Sequence, residues 1–187
     1  MKGKNTMYSS KVVGITGMPL AGKTLAAEIL EEKGFSVVDM GDVVRKEMEK
    51  RDIPTEEVAD FVNGQRDKKG MGAIAELTVP YLKESLEESN VVITGMRGWS
   101  EKKVFESHID EDILMVALWA SRETRKNRRE ERKREEDIKG QDFHERDLRE
   151  IDNGIAKLMA LSDVMIVNDG ISIDELEEKI EKKVLRR

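Results

Sequence analysis

The chain has 187 residues, a net charge of −6, no cysteine, and 38% hydrophobic against 39% charged residues. That length suits one domain with a small insertion, and the apolar share is too high for a disordered chain. The composition excludes disulfides, a thiol nucleophile and a cysteine metal site, and it argues against a dedicated nucleic-acid binder without excluding local basic clusters. No run is apolar enough for a membrane span or a signal segment, so a cytoplasmic location is expected.

After ten polar residues, Val12, Val13 and Ile15 make a β-branched run that predicts a first strand. Gly17-Met18-Pro19-Leu20-Ala21-Gly22-Lys23-Thr24 then fits G-x-x-x-x-G-K-[ST], and Leu25, Ala26, Ile29 and Leu30 give the next segment an apolar helical face. The order strand, loop, helix is what the motif requires. Glycines let the backbone curl round a phosphate, so successive N–H groups and the positive helix end point inward. Lys23 can reach the β- and γ-phosphates of ATP, and the Thr24 hydroxyl can hold Mg²⁺.

Gly34 ends this helix, Phe35 to Asp39 reads as a second strand, and the resulting βαβ unit implies a parallel sheet. A helix follows from Met40 to about Arg51, with Asp42 expected as its cap. Arg45 lies one turn on, either solvated or delivered to the mouth of the phosphate site. Residues 53–90 show no strand. Thr55 is expected to cap a helix with Val58, Phe61 and Val62 inside, and Ile74, Leu77, Leu82 and Leu86 mark a second, which together suggest a helical insertion. Arg66, Asp67 and Lys68 there read as a solvated face before a substrate-facing one.

Val91 to Thr94 is a short buried strand leading to Gly95-Met96-Arg97, a turn where a phosphate-clamping arginine can sit. Ile113 to Trp119 is the most apolar run and predicts a central strand. Eight of the thirteen residues 122–134 are basic, and Arg125, Arg128 and Arg132 share one helical face. That face is either a solvent helix laced with glutamates or a phosphate-binding arginine face beside a flap. A single helix is expected from Asp142 to Leu161 with Phe143, Leu148, Ile151, Ile155, Leu158 and Met159 inside, and Arg146 and Arg149 near its start. Val164 to Val167 is the last strand, followed by Asn168-Asp169-Gly170 and a final helix that Ser172 caps with Glu175. His108 and His144 are expected to be bystanders.

Taken together, the phosphate loop, the MGDVVR element, the GMR turn and the FHERDLRE and GIAKLMALSDVMIVNDG segments resemble the nucleotide-kinase group of P-loop proteins. They look most like the archaeal set related to adenylate/cytidylate kinases and to dephospho-CoA kinase. The resemblance implies an α/β, three-layer P-loop NTPase fold whose five-stranded parallel sheet has the order 2-3-1-4-5. It implies one domain over 1–187: a core at about 11–52 and 91–187, a helical acceptor-binding insertion at about 53–90, and a small lid at about 130–146.

Carried onto this chain, the resemblance makes Arg45 and Arg97 acceptor-phosphate ligands, Arg128 the lid-base arginine, and Arg132, Arg146 and Arg149 lid arginines. Asn168 to Gly170 would lie against adenine, with Gly17 to Thr24 on the ATP phosphates. Asp42 would orient the acceptor or a metal-bound water, and Lys23, Arg128, Arg132 and Asp42 form the expected catalytic set. Many nucleoside-monophosphate kinases end the third strand with an acidic residue that supports Mg²⁺. Thr94 stands there in this chain, so Asp39 or Asp42 has to serve, or activity is weak. The implied reaction is Mg²⁺-dependent transfer of the ATP γ-phosphoryl to a small nucleotide-like acceptor. A dephospho-CoA kinase-like activity and a nucleotide-binding regulatory or RNA-processing factor are the alternatives.

Overall fold

The structure, a computed structural model, describes residues 12–132 and 142–186. Strands β1 (Val12–Thr16), β2 (Phe35–Asp39), β3 (Asn90–Thr94), β4 (Ile113–Trp119) and β5 (Val164–Val167) form one sheet in the order β2-β3-β1-β4-β5. Every pairing is parallel, as expected for this order. Parallel neighbours cannot be joined by tight hairpins, so helices must cross back over the sheet. They are α1 (Lys23–Glu32), α2 (Met40–Glu49), α3 (Val58–Lys69), α4 (Ala73–Glu88), α5 (Trp99–Glu106), α6 (Arg122–Arg132), α7 (Phe143–Asp152), α8 (Ile155–Ala160) and α9 (Ile173–Ile180). Among the described residues, no helix is long and apolar enough to cross a membrane.

Strand side chains alternate between faces, so adjacent valines feed different cores. Val13, Ile15, Val116 and Leu118 pack with Ala26, Ile29 and Leu30 of α1 and with Leu176 and Ile180 of α9. Val12, Val91, Ile93 and Met115 pack on the opposite face with Met40, Val43 and Val44 of α2, Leu82 of α4 and Phe105 of α5. The register places Asp39 opposite Thr94, and Thr16 opposite Ala117. The carboxyl ends of the four strands β1 to β4 therefore share one edge, where ligands bind in open α/β sheets.

Several local expectations differ from the structure. Helix α2 is capped by Asp39, whose Oδ1 accepts the Asp42 N–H at 2.9 Å; Asp42 already lies inside the helix. The strand runs straight into the helix, so the last strand residue is the only one in position to cap. Thr55 opens a short 3₁₀ turn, Thr55–Glu57, without a side-chain cap, and Val58 is exposed while Phe61 is buried. The expected helix from Asp142 to Leu161 is two helices. Gly154, at φ +104°, turns the chain between α7 and α8, a conformation that costs a side-chain-bearing residue energy. Leu148 and Ile151, expected inside, are exposed. Ser172 and Glu175 do form the reciprocal cap of α9. Residues 133–141, most of the expected lid, lie outside the described residues.

Candidate active site

Between β1 and α1 the chain wraps a loop whose backbone is unusual at three points. Gly17 has φ +146°, Gly22 φ +101°, and Leu20, which carries a side chain, φ +66°. A Cβ at Gly17 would run into the Leu118 carbonyl, and one at Gly22 into the Asn168 amide. Only glycine fits at either place. Leu20 is held in a costly left-handed conformation, so something outside the loop must fix it.

That support comes from long side chains that take up the loop's carbonyls one after another. Lys23 Nζ donates to the Gly17 carbonyl at 2.7 Å and to Met18 at 3.0 Å. Arg125 Nη1 donates to Pro19 at 3.4 Å, Arg128 Nη1 to Leu20 at 3.1 Å, and Asn168 Nδ2 to Ala21 at 2.9 Å. The carbonyls of Gly17 to Ala21 are thus all taken up by side-chain donors, and the Ala21 N–H closes a turn onto the Met18 carbonyl at 3.1 Å. Arg128 also donates to the Asn168 carbonyl at 3.0 Å, joining the loop to the Asn168–Gly170 turn. Hydrogen bonds from Thr124 and Ser121 hold the Asp169 carboxyl below the usual carboxylate range and fasten that turn to the start of α6. Asn168 is buried, and Gly170 lies exposed beyond it.

The expected arginine face of α6 is thereby divided. Arg125 is 5% exposed and forms a two-pronged ion pair with Asp147 of α7, at 2.7 Å on each prong. Its guanidinium also lies over the Phe143 ring. It is a buried brace, and the reading of Arg125 as part of an open arginine face is corrected. Arg128 reaches the loop, whereas Arg132 stands exposed at the helix end. On α7, Arg146 is half-buried and Arg149 exposed.

Desolvation pushes the Lys23 amine down to about 8; the Glu150 carboxylate opposes this, and the guanidiniums of Arg97, Arg146 and Arg125 add to it. These charges bear on Lys23 from the turn after β3 and from α6 and α7, and Arg97 and Glu150 pair with each other at 3.4 Å. An anion bound beside Lys23 gains a cation that water screens poorly. A phosphate also raises the amine's own pKa, so protonation and binding are linked. ATP affinity is expected to stay level below about pH 8 and to weaken toward tenfold per pH unit above it. Calorimetric titration of ATP across that range would check this, and Lys23→Ala would flatten the profile.

The other half of the mouth lies at the ends of β2 and β3. The Thr94 hydroxyl donates to Asp39 Oδ2 at 2.5 Å, so a carboxylate of β2 stands beside the place where an acidic residue of β3 was missing. Both Asp39 oxygens are engaged, by Thr94 and by the Asp42 N–H. Arg45 pairs with Asp42 and lies 4.0 Å from Asp39. Beside it a cleft of about 680 Å³ is lined by Asp42, Arg45, Lys46, Glu49, Asp52 and Ile53. Arg97 is aimed differently: its Nη1 is 3.4 Å from Glu150 Oε1. The turn carrying it is held by Glu101, which is 3% exposed and accepts the N–H groups of Arg97 at 2.7 Å and Gly98 at 3.2 Å. Burial pushes the Glu101 carboxyl up against these hydrogen bonds. Arg66, expected to be solvated, reaches the same cluster, 3.8 Å from Glu101 and 3.3 Å from Asn153 Oδ1.

Thr24 is exposed in the first turn of α1. Among the described residues, no group of three or more His, Asp or Glu side chains could hold a metal ion. One hydroxyl beside an anion-binding loop nevertheless fits Mg²⁺, which keeps most of its waters and shares its shell with the phosphates of a nucleotide. His108 and His144 are both exposed. Glu150, Asp147 and Glu101 were not singled out from the sequence. The signal was available in α7, where Phe143, Asp147 and Glu150 recur at i, i+4 and i+7, the spacing of one helical face.

A family model described as an AAA domain matches residues 16–144. The UPF0200 protein of Thermococcus gammatolerans is 37% identical over 183 residues, covering 94% of this chain and 96% of that protein. The chain belongs to the UPF0200 family. The UPF0200/UPF0201 protein of Archaeoglobus fulgidus is 36% identical over 180 residues, and the chain spans 55% of that relative's length. In three dimensions the UPF0200 chain is similar to TT1252 from Thermus thermophilus, with a TM-score of 0.62 at 18% identity over 92% of this chain and 97% of that one. It is also similar to shikimate kinase from Acinetobacter baumannii in complex with shikimate, with a TM-score of 0.58 at 14% identity over 91% and 90% of the two chains. At such identities the likeness is one of fold, and the UPF0200 chain has the P-loop kinase fold that the resemblance implied.

Proposed function

We infer that this protein is an ATP-dependent phosphotransferase that moves the γ-phosphoryl group to a small nucleotide-like acceptor. The observation that carries the reading is the loop between β1 and α1, whose Gly17 to Ala21 carbonyls are taken up by Lys23, Arg125, Arg128 and Asn168, with the charges of Arg97 and Arg146 bearing on Lys23. The transferring group is strongly anionic in a loose transition state, so positioned cations and N–H donors supply most of the catalysis. Gly17 to Thr24 hold the ATP phosphates, and the Thr24 hydroxyl would hold Mg²⁺, which would supply neutralisation of the phosphate charge. Arg128 keeps the loop in shape and ties it to Asn168 and Gly170, beside the base. Arg132, Arg146 and Arg149 lie on the two helices that flank the expected lid at about 130–146 and would close over the reacting groups. Arg45, Arg97 and Asp42 face the acceptor, which enters between α2 and the helices of the insertion at about 53–90.

Mg-ATP turnover against AMP, CMP, UMP, GMP, their deoxy forms and dephospho-CoA tests the reading. Acceptor-dependent ADP release with a clear preference supports it and makes the insertion the specificity element. ATP binding with no turnover above background would remove the kinase assignment and favour a nucleotide-binding regulatory role.

A further inference from the structure

Arg66 takes no part in the phosphotransferase reading, and stability alone is a poor account of it. It belongs to α3, a helix of the insertion that packs on α2 and α4, yet its side chain reaches two other segments. Its Nη2 lies 3.8 Å from Glu101 Oε1 on α5, and its Nη1 donates to Asn153 Oδ1 at 3.3 Å, where α7 gives way to α8. Its Nε is buried and has no hydrogen-bond partner among the described residues. A separation of 3.8 Å is too long for a hydrogen bond, so a guanidinium with five N–H donors is sparsely matched there. A half-satisfied buried charge of this kind contributes little net stability.

Both groups that Arg66 reaches bear on Arg97. Glu101 Oε2 accepts the backbone N–H of Arg97 at 2.7 Å and that of Gly98 at 3.2 Å, so this carboxylate fixes the peptide planes of the turn that carries Arg97. Asn153 lies against the same turn: a Cβ at Gly98 would come within 3.2 Å of its carbonyl. Glu101 is buried, and at 3.8 Å in a place that water scarcely reaches Arg66 acts on it as a charge. An ionised Glu101 accepts the two N–H groups more strongly than a neutral one.

We propose that Arg66 is a positioning residue for Arg97. By keeping Glu101 ionised and bracing Asn153, it holds the turn in the arrangement from which Arg97 meets the acceptor. It thereby ties the insertion to the arginine that binds the acceptor. This rests on the phosphotransferase reading, in which Arg97 faces the acceptor, and adds a residue that acts through Arg97 without touching substrate.

The test is a double-mutant cycle on kinetics, run with Mg-ATP and with AMP, CMP, UMP, GMP and dephospho-CoA as acceptor probes. The probe with the highest kcat/KM in wild type is carried through Arg66→Met, Arg97→Ala and the double variant. Methionine keeps the apolar length of the side chain and removes the guanidinium. Arg66→Met is expected to lower kcat/KM for the acceptor about 10- to 100-fold, the loss that a displaced binding group brings. The KM for ATP should move less than about 3-fold. In the Arg97→Ala background the same replacement should change the acceptor kcat/KM by less than about 3-fold, because nothing is left to position. Arg66→Lys keeps the charge near Glu101 and should fall between wild type and Arg66→Met.

Equal losses from Arg66→Met in the two backgrounds would overturn the proposal and leave the kinase intact. So would wild-type kinetics, or a KM for ATP that rises as much as that for the acceptor. Melting temperatures taken in parallel show whether Arg66→Met is folded. If it is not, the cycle runs with Arg66→Lys, and an acceptor kcat/KM within about 2-fold of wild type overturns the proposal. ATP binding without turnover on any probe would overturn this proposal and the kinase reading together. Failure to bind ATP would overturn the phosphate-loop assignment beneath both.

Discussion

Lys23→Ala is expected to lower ATP-dependent turnover by about 10²- to 10³-fold or more while the protein stays folded. The amine rests on the carbonyls of Gly17 and Met18. Its depressed pKa, about 8, means that the fold holds the charged form at a cost near neutral pH, chiefly through desolvation. Removing the amine relieves that cost and forfeits two hydrogen bonds, so the two changes oppose each other. The melting midpoint should therefore move by no more than about 3 °C. Steady-state kinetics and thermal unfolding of the same preparation separate the outcomes. A variant near wild-type activity would show that the loop does not hold the transferring phosphoryl group.

Asp147→Ala is expected to have the opposite signature, a large loss of stability. Arg125 and Asp147 are 5% and 7% exposed, and their two hydrogen bonds of 2.7 Å satisfy charges that water scarcely reaches. Deleting one partner leaves a buried, uncompensated guanidinium, which costs about 3–5 kcal/mol. For a chain of this length that is a fall of roughly 6–20 °C in melting temperature. The double replacement Arg125→Met with Asp147→Leu should recover much of it, because a well-packed apolar pair removes both desolvation costs. Asp42→Ala offers the contrast. Its pair with Arg45 is exposed on both sides, so stability should change by less than about 1 kcal/mol. Equal losses in Asp42→Ala and Asp147→Ala would contradict this account.

The two α7 carboxylates also show where sequence reading stops. A helix was read in this stretch from apolar spacing, and a helix is there, yet Leu148 and Ile151 face outward while Asp147 and Glu150 face in. Hydrophobic periodicity identifies the buried face only when the partner surface is apolar. Here the partners are two cations, Arg125 and Arg97, brought from two distant parts of the chain. The charged stripe is the inward one because it is the complementary one. Gly154 escaped notice as a break for a related reason: an isolated glycine in a helical pattern can stay helical, and only its left-handed φ of +104° shows that the chain turns there.

By itself the sequence determined the parallel sheet and its strands, the phosphate loop and the reciprocal cap of α9, and it left Arg45 open between a solvated position and the mouth of the site. These follow from local rules, since alternation, glycine placement and capping act over a few residues. Only the tertiary structure decided which charges meet. It made Arg125 a buried brace with Asp147, set Asp39 beside Thr94, and paired Glu150 with Arg97. Those pairings span 22 to 55 positions of chain, and an electrostatic contact between distant segments leaves no periodic trace in either of them.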